Sequence, residues 1–392
     1  MARAKSPRAR LCDLCGSPMR KNGKTSAGRQ RWRCDPCRAG GVAGREDGVR
    51  MAQFRAFLRW VTGTVSMLAA AEAIGVSRRT FLRAVDWCWN VRPHIGDDGV
   101  VHRFVEVDGT YVPHGWCMLV AIGDDGATIG WQWCHRENRA AYHALMRSLT
   151  PPDLLVCDGA AACLGAAAGV WPGVPVQRCL VHTPGNTFAD LTRRPKSEAG
   201  RELLSPIRKL PRIHDPERAA GWLAALNDWH ARHGDYIKER TYARTDPDNP
   251  KARAGRTWWW THERPRRAYF RIIAMQREGT LFAYLEHGED LPNNTNRLEG
   301  GVNADLKRKL DAHRGLSPEH TKRCCEWVVY MKSANPDPER FVTPDCWNER
   351  KPIPRPTGEP EPGTWTQVQL PCDDPDTHEP GFGIRKGWGG RS

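Results

Sequence analysis

The order of strand and helix patterns between residues 104 and 180 constrains the fold of this chain more than any other feature. Seven segments follow one another: strands at 104–112, 116–123 and 127–134, a helix at 138–149, a strand at 153–159, a helix at 160–170 and a strand at 174–180. Short turns join the first three strands, which favours an antiparallel meander. Helices separate the later strands, which favours parallel pairing. The pattern therefore predicts a mixed α/β sheet.

This βββαβαβ order, with a central parallel pair, is that of an RNase H-like α/β core, and it gives two acidic residues special positions. Asp108 falls within the first strand and Asp158 ends the fourth. Each is followed by a glycine, which leaves room for backbone and phosphate to approach. A single Asp-Gly pair usually marks only a turn, so the two together are more informative than either alone.

A third acidic residue, Glu299, is predicted at the start of a later helix within residues 293–310. Four apolar residues spaced by four form one stripe there: Leu298, Val302, Leu306 and Leu310. Glu299 lies beside this stripe, and Lys307 and Arg308 extend the basic character beyond it. The alternative for Glu299 is a solvent-exposed carboxylate at a helix start.

Four of the fourteen cysteines form two Cys-x-x-Cys pairs near the N-terminus. Cys12 and Cys15 are one pair, Cys34 and Cys37 the other, with 18 residues between them. In a large chain without an export signal, metal ligation or buried thiols are better expectations than disulfides. Four thiolates complete a tetrahedral shell that suits one structural Zn²⁺ and leave no position for water. The spacing predicts a zinc ribbon.

Residues 66–85 have the pattern of a helix-turn-helix. Gly75 ends the first helix and Ser77 can cap the second. Four side chains lie early on the second helix, where they would reach base edges or phosphates: Arg78, Arg79, Thr80 and Arg83. Helical hairpins with a glycine turn also occur in bundles that bind no DNA, but the neighbouring zinc ribbon and the basic charge favour DNA binding.

The charge of the chain favours a polyanionic partner. Its 59 Lys and Arg exceed its 45 Asp and Glu, for a formal net charge of +14. Residues 1–50 contribute a net +9, whereas residues 335–392 contribute −3. A basic arm can neutralise phosphates, although a charged terminus can also simply keep a chain in solution. No apolar run approaches the roughly 18 to 20 residues of a membrane span, so we expect a soluble intracellular protein.

The stretch between the second and third acids is too long for a simple connection. Residues 187–290 have mainly helical patterns, which predicts an all-helical insertion. Trp258 and Trp259 lie among arginines, a mixture that can stack on unpaired bases, although tryptophans are more often part of a helical core. Eleven of the 30 prolines lie in residues 335–392, which predicts a disordered tail.

Taken in order, these motifs resemble those of bacterial insertion-sequence transposases of the Mutator-like type, within the DDE transposase superfamily. Residues 107–111 around Asp108 are similar to the first-acid motif, and residues 156–160 around Asp158 to the second. Residues 293–300, which include Glu299, resemble the segment that carries the third acid. Residues 177–182 resemble the family's Cys-x-x-His signature through Cys179 and His182.

The resemblance implies a DNA transposase that binds the terminal inverted repeats of its element and catalyses strand nicking and strand transfer. The three acids would hold two Mg²⁺ or Mn²⁺ ions about 3.5 to 4 Å apart, with Asp108 between them. One ion would activate water or a DNA 3′-hydroxyl, and the other would stabilise the leaving oxygen. The partner would be double-stranded DNA, bound by a homodimer or larger assembly in the bacterial cytoplasm, at the nucleoid.

Cys179 and His182 are predicted to lie near this site. We expect His182 to contact phosphate or to position an acid, and Cys179 to pack beneath it. Cys-x-x-His can also be half of a zinc site, but the sequence offers no convincing second half. A purely structural role for both residues is the alternative.

The predicted architecture is thus a multidomain α/β protein. Its regions are a zinc ribbon with a basic arm at 1–45, a helix-turn-helix region at 46–98, an RNase H-like catalytic core at 99–186 and 291–333, an all-helical insertion domain at 187–290, and a Pro-rich disordered tail at 334–392. Two other functions stay open. A transposase-derived DNA-binding regulator would need only the first 90 or so residues, and an RNase H-like nuclease would keep the acids without requiring defined element ends.

Overall fold

The computed structural model of the chain describes residues 12, 15, 17–26, 28–42, 46–343 and 345–348. These residues form two compact units. The first contains the residues up to Pro93 together with those from Asp337 onward, and the second contains His94–Pro336. The N-terminal residues 1–11, residues 43–45 and the tail beyond residue 348 lie outside the described residues.

A small antiparallel sheet forms the beginning of the first unit. Its strands are β1 (Met19–Lys24), β2 (Gln30–Cys34) and β3 (Gly40–Val42), in the order β1-β2-β3. Met19 pairs with Cys34 across β1 and β2. Both side chains are buried with that of Cys12, so the two halves of the cysteine pattern share one small core.

Helices make up the rest of the first unit. They are α1 (Glu46–Val61), α2 (Met67–Ala73) and α3 (Arg78–Ala84), followed by a 3₁₀ turn at Asp86–Asn90. Gly75 adopts a φ of +71° between α2 and α3. The Ser77 hydroxyl caps α3 by accepting a hydrogen bond from the Thr80 backbone N–H over 3.3 Å. The glycine turn and the serine cap that the sequence predicts are both present.

The first part of the predicted disordered tail is folded. A 3₁₀ turn at Pro338–Phe341 and the short helix at Asp345–Asn348 belong to the first unit. Glu339 accepts two hydrogen bonds from the Arg55 guanidinium, of 2.6 and 2.8 Å. The rings of Trp87 and Trp347 meet edge to face at 5.4 Å. A high proline content predicts disorder only where a segment has nothing to pack against. The described residues between 337 and 348 pack against Arg55 and Trp87 of the same unit.

A five-stranded sheet is the centre of the second unit. Its strands are β4 (Val105–Val112), β5 (Trp116–Ile122), β6 (Thr128–Cys134), β7 (Leu155–Cys157) and β8 (Val176–Arg178). They lie in the order β6-β5-β4-β7-β8. The pairs β6–β5 and β5–β4 are antiparallel, and the pairs β4–β7 and β7–β8 are parallel. This is the mixed α/β sheet that the pattern predicts.

Helices cover both faces of this sheet. On one face, α4 (Arg139–Arg147) and α5 (Ala161–Val170) bury an apolar layer that includes Val107. Successive strand residues face opposite sides, so Glu106 faces the other side, where its carboxylate contacts Leu298. Leu298 lies in a π-helical segment (Arg297–Asn303), which leads into helices at Ala304–Ala312 and Pro318–Tyr330.

The region between β8 and the π-helical segment is not all-helical. It contains helices at His182–Leu191, Glu198–Lys209, Pro216–His233, Pro250–Arg253, Glu263–Arg277 and Ala283–Glu286, and two antiparallel strands, Arg240–Tyr242 and Trp258–Trp260. The prediction of an all-helical insertion is corrected by this hairpin, because three consecutive tryptophans favour an extended strand.

This helical region also shares its core with the sheet. Trp222, Leu226 and Trp229 belong to the same buried cluster as Val156 and Leu180, which come from the sheet side. The predicted boundary at residue 187 therefore crosses a continuous core, and the insertion packs as part of the second unit.

Candidate functional site

The pairing of β4 with β7 sets Asp108 beside Asp158. In this parallel pair, Val105 lies opposite Leu155, and Val107 lies opposite Cys157. The next residues along the two strands are Asp108 and Asp158. Neighbouring strands are about 4.8 Å apart, so the register brings the two predicted acids to one place in the sheet.

A glycine-dependent turn holds Asp158. Gly159 has a φ of +83°, a conformation that side chains with a Cβ rarely adopt. The Ala160 backbone N–H donates to Asp158 Oδ1 over 2.8 Å, and the Arg178 guanidinium donates to the Gly159 carbonyl over 2.9 Å. A Cβ on Gly159 would lie 2.1 Å from Arg178 Nε. The turn that presents Asp158 therefore requires glycine.

The third predicted acid, Glu299, lies in the π-helical segment rather than in a regular helix. Two contacts tie this segment to β4 on either side of Glu299. The Leu298 backbone N–H donates to Glu106 over 3.2 Å, and Asn303 Nδ2 donates to Asp108 Oδ2 over 2.8 Å. Short π-helical stretches occur frequently at functional sites.

Glu106 is fully buried below this segment. Burial raises its pKa to about 7, against the opposing effects of the Leu298 N–H and the Arg297 charge. Arg297 Nε lies 3.8 Å from Glu106 Oε1. Glu106 thus anchors the start of the π-helical segment beneath Glu299.

The acids interact electrostatically. Burial first, and then the charges of Asp158, Glu137 and Glu299, raise the pKa of Asp108 well above its ordinary range, and His182 opposes this shift. Like charges gathered in a partly buried place favour a cation or a proton there. Asp158, Glu299 and a fourth carboxylate that the sequence did not predict therefore lie near enough to Asp108 to interact with its charge.

That fourth carboxylate is Glu137, in the connection between β6 and α4. A Cβ built on Gly109 would lie 2.6 Å from Glu137 Cδ, so the carboxyl group covers the backbone next to Asp108. Burial raises the pKa of Glu137, the hydrogen bond from Tyr142 lowers it, and the charge of Asp158 raises it further. In the sequence, Glu137 is one of several charged residues in a polar turn. The only sequence signal for a functional role is its position just after the end of a strand.

Cys179 and His182 lie next to Glu299. The possible ligand atoms of the three residues are all within 4.8 Å of one another, and His182 Nδ1 is 3.6 Å from Glu299 Oε1. The Thr295 N–H and hydroxyl both lie 3.4 Å from Cys179 Sγ, and the hydroxyl also donates to Glu299. Glu299 therefore completes a three-residue group around the Cys-x-x-His sequence, a group that could hold a metal ion.

The surroundings of His182 favour its charged form. The hydrogen bond with Cys179 raises the pKa of His182 to about 9, burial opposes that shift, and the charges of Glu299 and Asp108 add to it. Burial alone would raise the pKa of Cys179, but its hydrogen bond and Coulomb attraction with His182 lower the pKa below its ordinary value. Cys179 is fully buried, and the roles of Cys179 and His182 stay predictions.

The four N-terminal cysteines lie close together and could bind a structural zinc. Cys12 Sγ is 3.5 Å from Cys37 Sγ, and Cys15 Sγ is 3.3 Å from Cys34 Sγ. Sulfurs around a tetrahedral Zn²⁺, with Zn–S bonds of about 2.3 Å, are about 3.8 Å apart. Hydrogen bonds from Ser17 lower the pKa of Cys15 to about 6. The cluster is consistent with a zinc ribbon.

Most of the side chains predicted to contact DNA are exposed. Arg78, Arg79 and Arg83 are exposed on α3, and Thr80 is half-buried. Lys307 and Arg308 are also exposed, and Arg308 forms an ion pair of 3.1 Å with Asp305.

The two hairpin tryptophans that were predicted to contact DNA differ in exposure. Trp258 is 37% exposed, but Trp259 is only 7% exposed. Successive residues of a strand face opposite sides, so Trp259 faces the interior and is removed from the predicted DNA-contacting set. Arg240 lies 4.3 Å from the Trp258 ring centre and 4.9 Å from that of Trp260, and Arg266 lies 3.8 Å from Trp260.

Comparison with known proteins adds no family. No protein-family model matches the chain, and no curated protein matches it. Across the described residues, no helix combines the length and apolar character that crossing a bilayer would take.

Proposed function

We propose that this chain is a DNA transposase of the DDE type, which binds the terminal inverted repeats of its insertion sequence and catalyses metal-dependent strand nicking and strand transfer. The observation that carries the proposal is the β4–β7 register, which places Asp108 beside Asp158, with Glu299 supplied by the π-helical segment. The strand order β6-β5-β4-β7-β8 has two antiparallel pairs followed by two parallel pairs. This is the order of an RNase H-like core, and it supports the same proposal.

The carboxylates of this cluster are the kind of ligand that a site for hard divalent cations would use. Carboxylate oxygens are the ligands that Mg²⁺ and Mn²⁺ prefer. Burial first, and then the charges of the neighbouring carboxylates, raise the pKa of Asp108. Asp108, Asp158 and Glu299 would hold two such ions, which supply Lewis-acid stabilisation of the charge that develops during phosphoryl transfer.

The chain's own residues would then orient these carboxylates. Asn303 holds one oxygen of Asp108, the Gly159 turn holds Asp158, and Thr295 holds Glu299. His182 would lie beside the reacting phosphate as a cation, because its pKa is about 9. These contacts fix orientation before DNA arrives, which lowers the cost of reorganisation during the reaction.

DNA recognition would use the first unit. The exposed arginines of α3 lie where a recognition helix contacts the major groove, and the zinc ribbon would add a second basic element. A homodimer or larger assembly would be needed, because two element ends must be brought together before strand transfer.

The test is nicking of labelled DNA that carries the terminal repeats flanking the gene, in Mg²⁺. We expect Asp108→Ala, Asp158→Ala and Glu299→Ala each to lose nicking by about 10³-fold or more and to keep DNA binding. The exposed Asp153 provides the matched control, and Asp153→Ala should nick like the wild type.

Other results would contradict the proposal. Normal nicking by all three acid variants would remove the catalytic assignment. Nicking without preference for the repeats would favour a nuclease, and tight repeat binding by a wild type that never nicks would favour a regulator.

A further inference from the structure

The Cys-x-x-His sequence at residues 179–182 forms one turn between β8 and the helix that follows it. Cys179 comes directly after β8, and its backbone N–H donates to the Cys157 carbonyl over 2.7 Å. His182 is the first residue of the helix. The Thr183 hydroxyl closes the turn by donating to the Cys179 carbonyl over 3.1 Å. This spacing offers two metal ligands, and a zinc site needs at least one more protein ligand.

The third ligand comes from a distant part of the chain. The Leu180 backbone N–H donates to the Asn293 carbonyl over 2.8 Å. This bond ties the segment that carries Glu299 to the turn after β8. The structure therefore supplies, from residues 293–299, the second half of a metal site that sequence spacing does not reveal.

The distances within this Cys–His–Glu group suit a single ion. The possible ligand atoms of Cys179, His182 and Glu299 all lie within 4.8 Å of one another. The buried Nδ1 atom of His182 is 3.6 Å from Glu299 Oε1, which is too far for a hydrogen bond. Two such atoms bound to one tetrahedral Zn²⁺ would be about 3.4 Å apart. A small closure would bring all three groups onto one ion.

The hydrogen bonds around the sulfur favour a ligand role independently of these distances. Cys179 is fully buried, and its Sγ lies 3.4 Å from both the backbone nitrogen and the hydroxyl of Thr295. The backbone N–H can only donate, so the sulfur is its acceptor. The same hydroxyl donates to Glu299. One threonine thus orients two of the three ligands, as outer hydrogen bonds do in metal sites.

The Cys–His–Glu group is open to solvent on one side. The side chains of His182 and Glu299 are 21% and 32% exposed, so an ion can reach them and water can complete its coordination. Three protein ligands and one water form the usual open zinc site. Thiolate and imidazole ligands select Zn²⁺ over Mg²⁺, which prefers oxygen ligands.

We propose that Cys179, His182 and Glu299 bind one Zn²⁺ ion, with Thr295 as their positioning residue. Three protein ligands of mixed type hold Zn²⁺ less tightly than the four N-terminal thiolates. Dialysis should therefore empty this site and leave the N-terminal ion in place, and added metal should refill it.

Occupation of this site should inhibit nicking. The ion would engage Glu299 and His182, which the proposed function assigns to the Mg²⁺ site and to the reacting phosphate. This consequence rests on the proposed function, whereas metal binding by the Cys–His–Glu group does not.

Co²⁺ is the probe for binding, because its bond to a thiolate gives a charge-transfer absorption that bonds to oxygen and nitrogen do not give. The full chain is loaded with Zn²⁺ and dialysed, so that the N-terminal cluster, whose four thiolates select Zn²⁺, is filled before Co²⁺ is titrated. We expect Cys179→Ser to lose the absorption. Thr295→Val should weaken Co²⁺ binding by about 10-fold, and His182→Asn should weaken it further.

A buried cysteine outside the group provides the matched control. Cys325 is fully buried in the second unit and belongs to neither group of candidate metal ligands, so Cys325→Ser should bind Co²⁺ like the wild type. His182→Asn changes a partly exposed side chain, which keeps the test independent of any unfolding caused by Cys179→Ser. Circular dichroism checks the fold of each variant.

The outcomes separate this inference from the proposed function. Equal Co²⁺ absorption in Cys179→Ser and the wild type, or none in either, would overturn the metal site and leave the proposed function standing. Loss in Cys179→Ser and weakening in His182→Asn, with wild-type binding in Cys325→Ser, would support the site even in a chain that never nicks DNA.

Nicking in Mg²⁺ with added Zn²⁺ tests the inhibition, with each variant compared with its own rate without Zn²⁺. Thr295→Val should need about 10-fold more Zn²⁺ than the wild type for the same inhibition. Equal Zn²⁺ sensitivity of the two chains would place the inhibitory ion elsewhere and overturn the link between this site and nicking.

Discussion

Asn303 donates a hydrogen bond from Nδ2 to Oδ2 of Asp108 over 2.8 Å, across 195 residues of sequence. This contact joins the end of the π-helical segment to the middle of β4. It fixes the position of Asp108 and of the segment that carries Glu299 at the same time.

Replacing this asparagine should therefore impair the acid cluster. We expect Asn303→Leu to lower repeat nicking by about 10- to 100-fold, as for other residues that orient metal ligands, because Asp108 loses its donor. DNA binding should be unchanged in a gel-shift assay. Asn227→Leu, at an exposed position of the helix Pro216–His233, is the control, and equal nicking by the two variants would contradict the assigned role of Asn303.

The turn after Asp158 should be sensitive to any side chain on Gly159. Gly159→Ala must place a Cβ at a φ of +83° and displace Arg178, whereas Gly173→Ala, at a φ of +88°, meets only open space. A left-handed conformation costs about 1–2 kcal/mol. In urea titrations, we expect the free energy of unfolding of both variants to fall by about that amount, and that of Gly159→Ala to fall further. Equal losses would show that Arg178 moves away without cost.

The cysteine cluster should bind one zinc ion. We expect Cys12→Ser to release that zinc, measured as metal per chain by mass spectrometry, because three thiolates hold Zn²⁺ less tightly than four. Cys346→Ser, outside the cluster, should retain the full amount. One zinc per chain in Cys12→Ser would argue that the ion is bound elsewhere.

A lysine of the second unit should make stability depend on alkaline pH. Lys322 Nζ lies 2.9 Å from the centre of the Trp116 ring, and burial lowers the pKa of Lys322 from 10.5 to about 8. The folded chain then releases this proton at lower pH than the unfolded chain, so the free energy of unfolding rises between about pH 8 and 10.5.

The comparison is with Lys322→Met, which cannot titrate. From pH 8 to 10.5, the wild type should gain about 1–2 kcal/mol over the variant, after allowance for solvent screening. Below pH 7 the difference in their urea midpoints should stay constant. A constant difference over the whole range would mean that Lys322 keeps its ordinary pKa.

The sheet could be predicted because its signals are local. Alternating apolar residues mark β4, an unbroken apolar run marks β5, and short turns leave little choice of neighbour. Asp108 and Asp158 were recognised because each lies at the end of an apolar stretch and precedes a glycine. Their common position then follows from the parallel register, which short strands with buried faces specify strongly.

The remaining features depend on contacts that sequence spacing does not encode. A stripe with a spacing of four fits both an α-helix and a π-helical turn, so Leu298 and Val302 gave no sign of the wider turn. The Glu137 carboxyl lies against Gly109 because that residue leaves space for it, and the burial of Trp259 depends on a hairpin whose partner strand begins at Arg240. Contacts of this kind join residues that are far apart in the sequence, so local patterns do not reveal them.

The π-helical segment also makes the site sensitive to chain length. In an α-helix each residue turns by about 100°, and a π-helical turn contains one residue more than the α-helical turn it replaces. Deleting Gly300 would remove that extra residue and let the segment rewind as a regular helix, in which Glu299 and the asparagine would stand three residues apart instead of four. The chain after the deletion would be drawn back by about 1.5 Å, away from the position in which Asn303 donates to Asp108. The count of residues in this turn, as much as their identity, therefore sets where the amide meets the carboxylate.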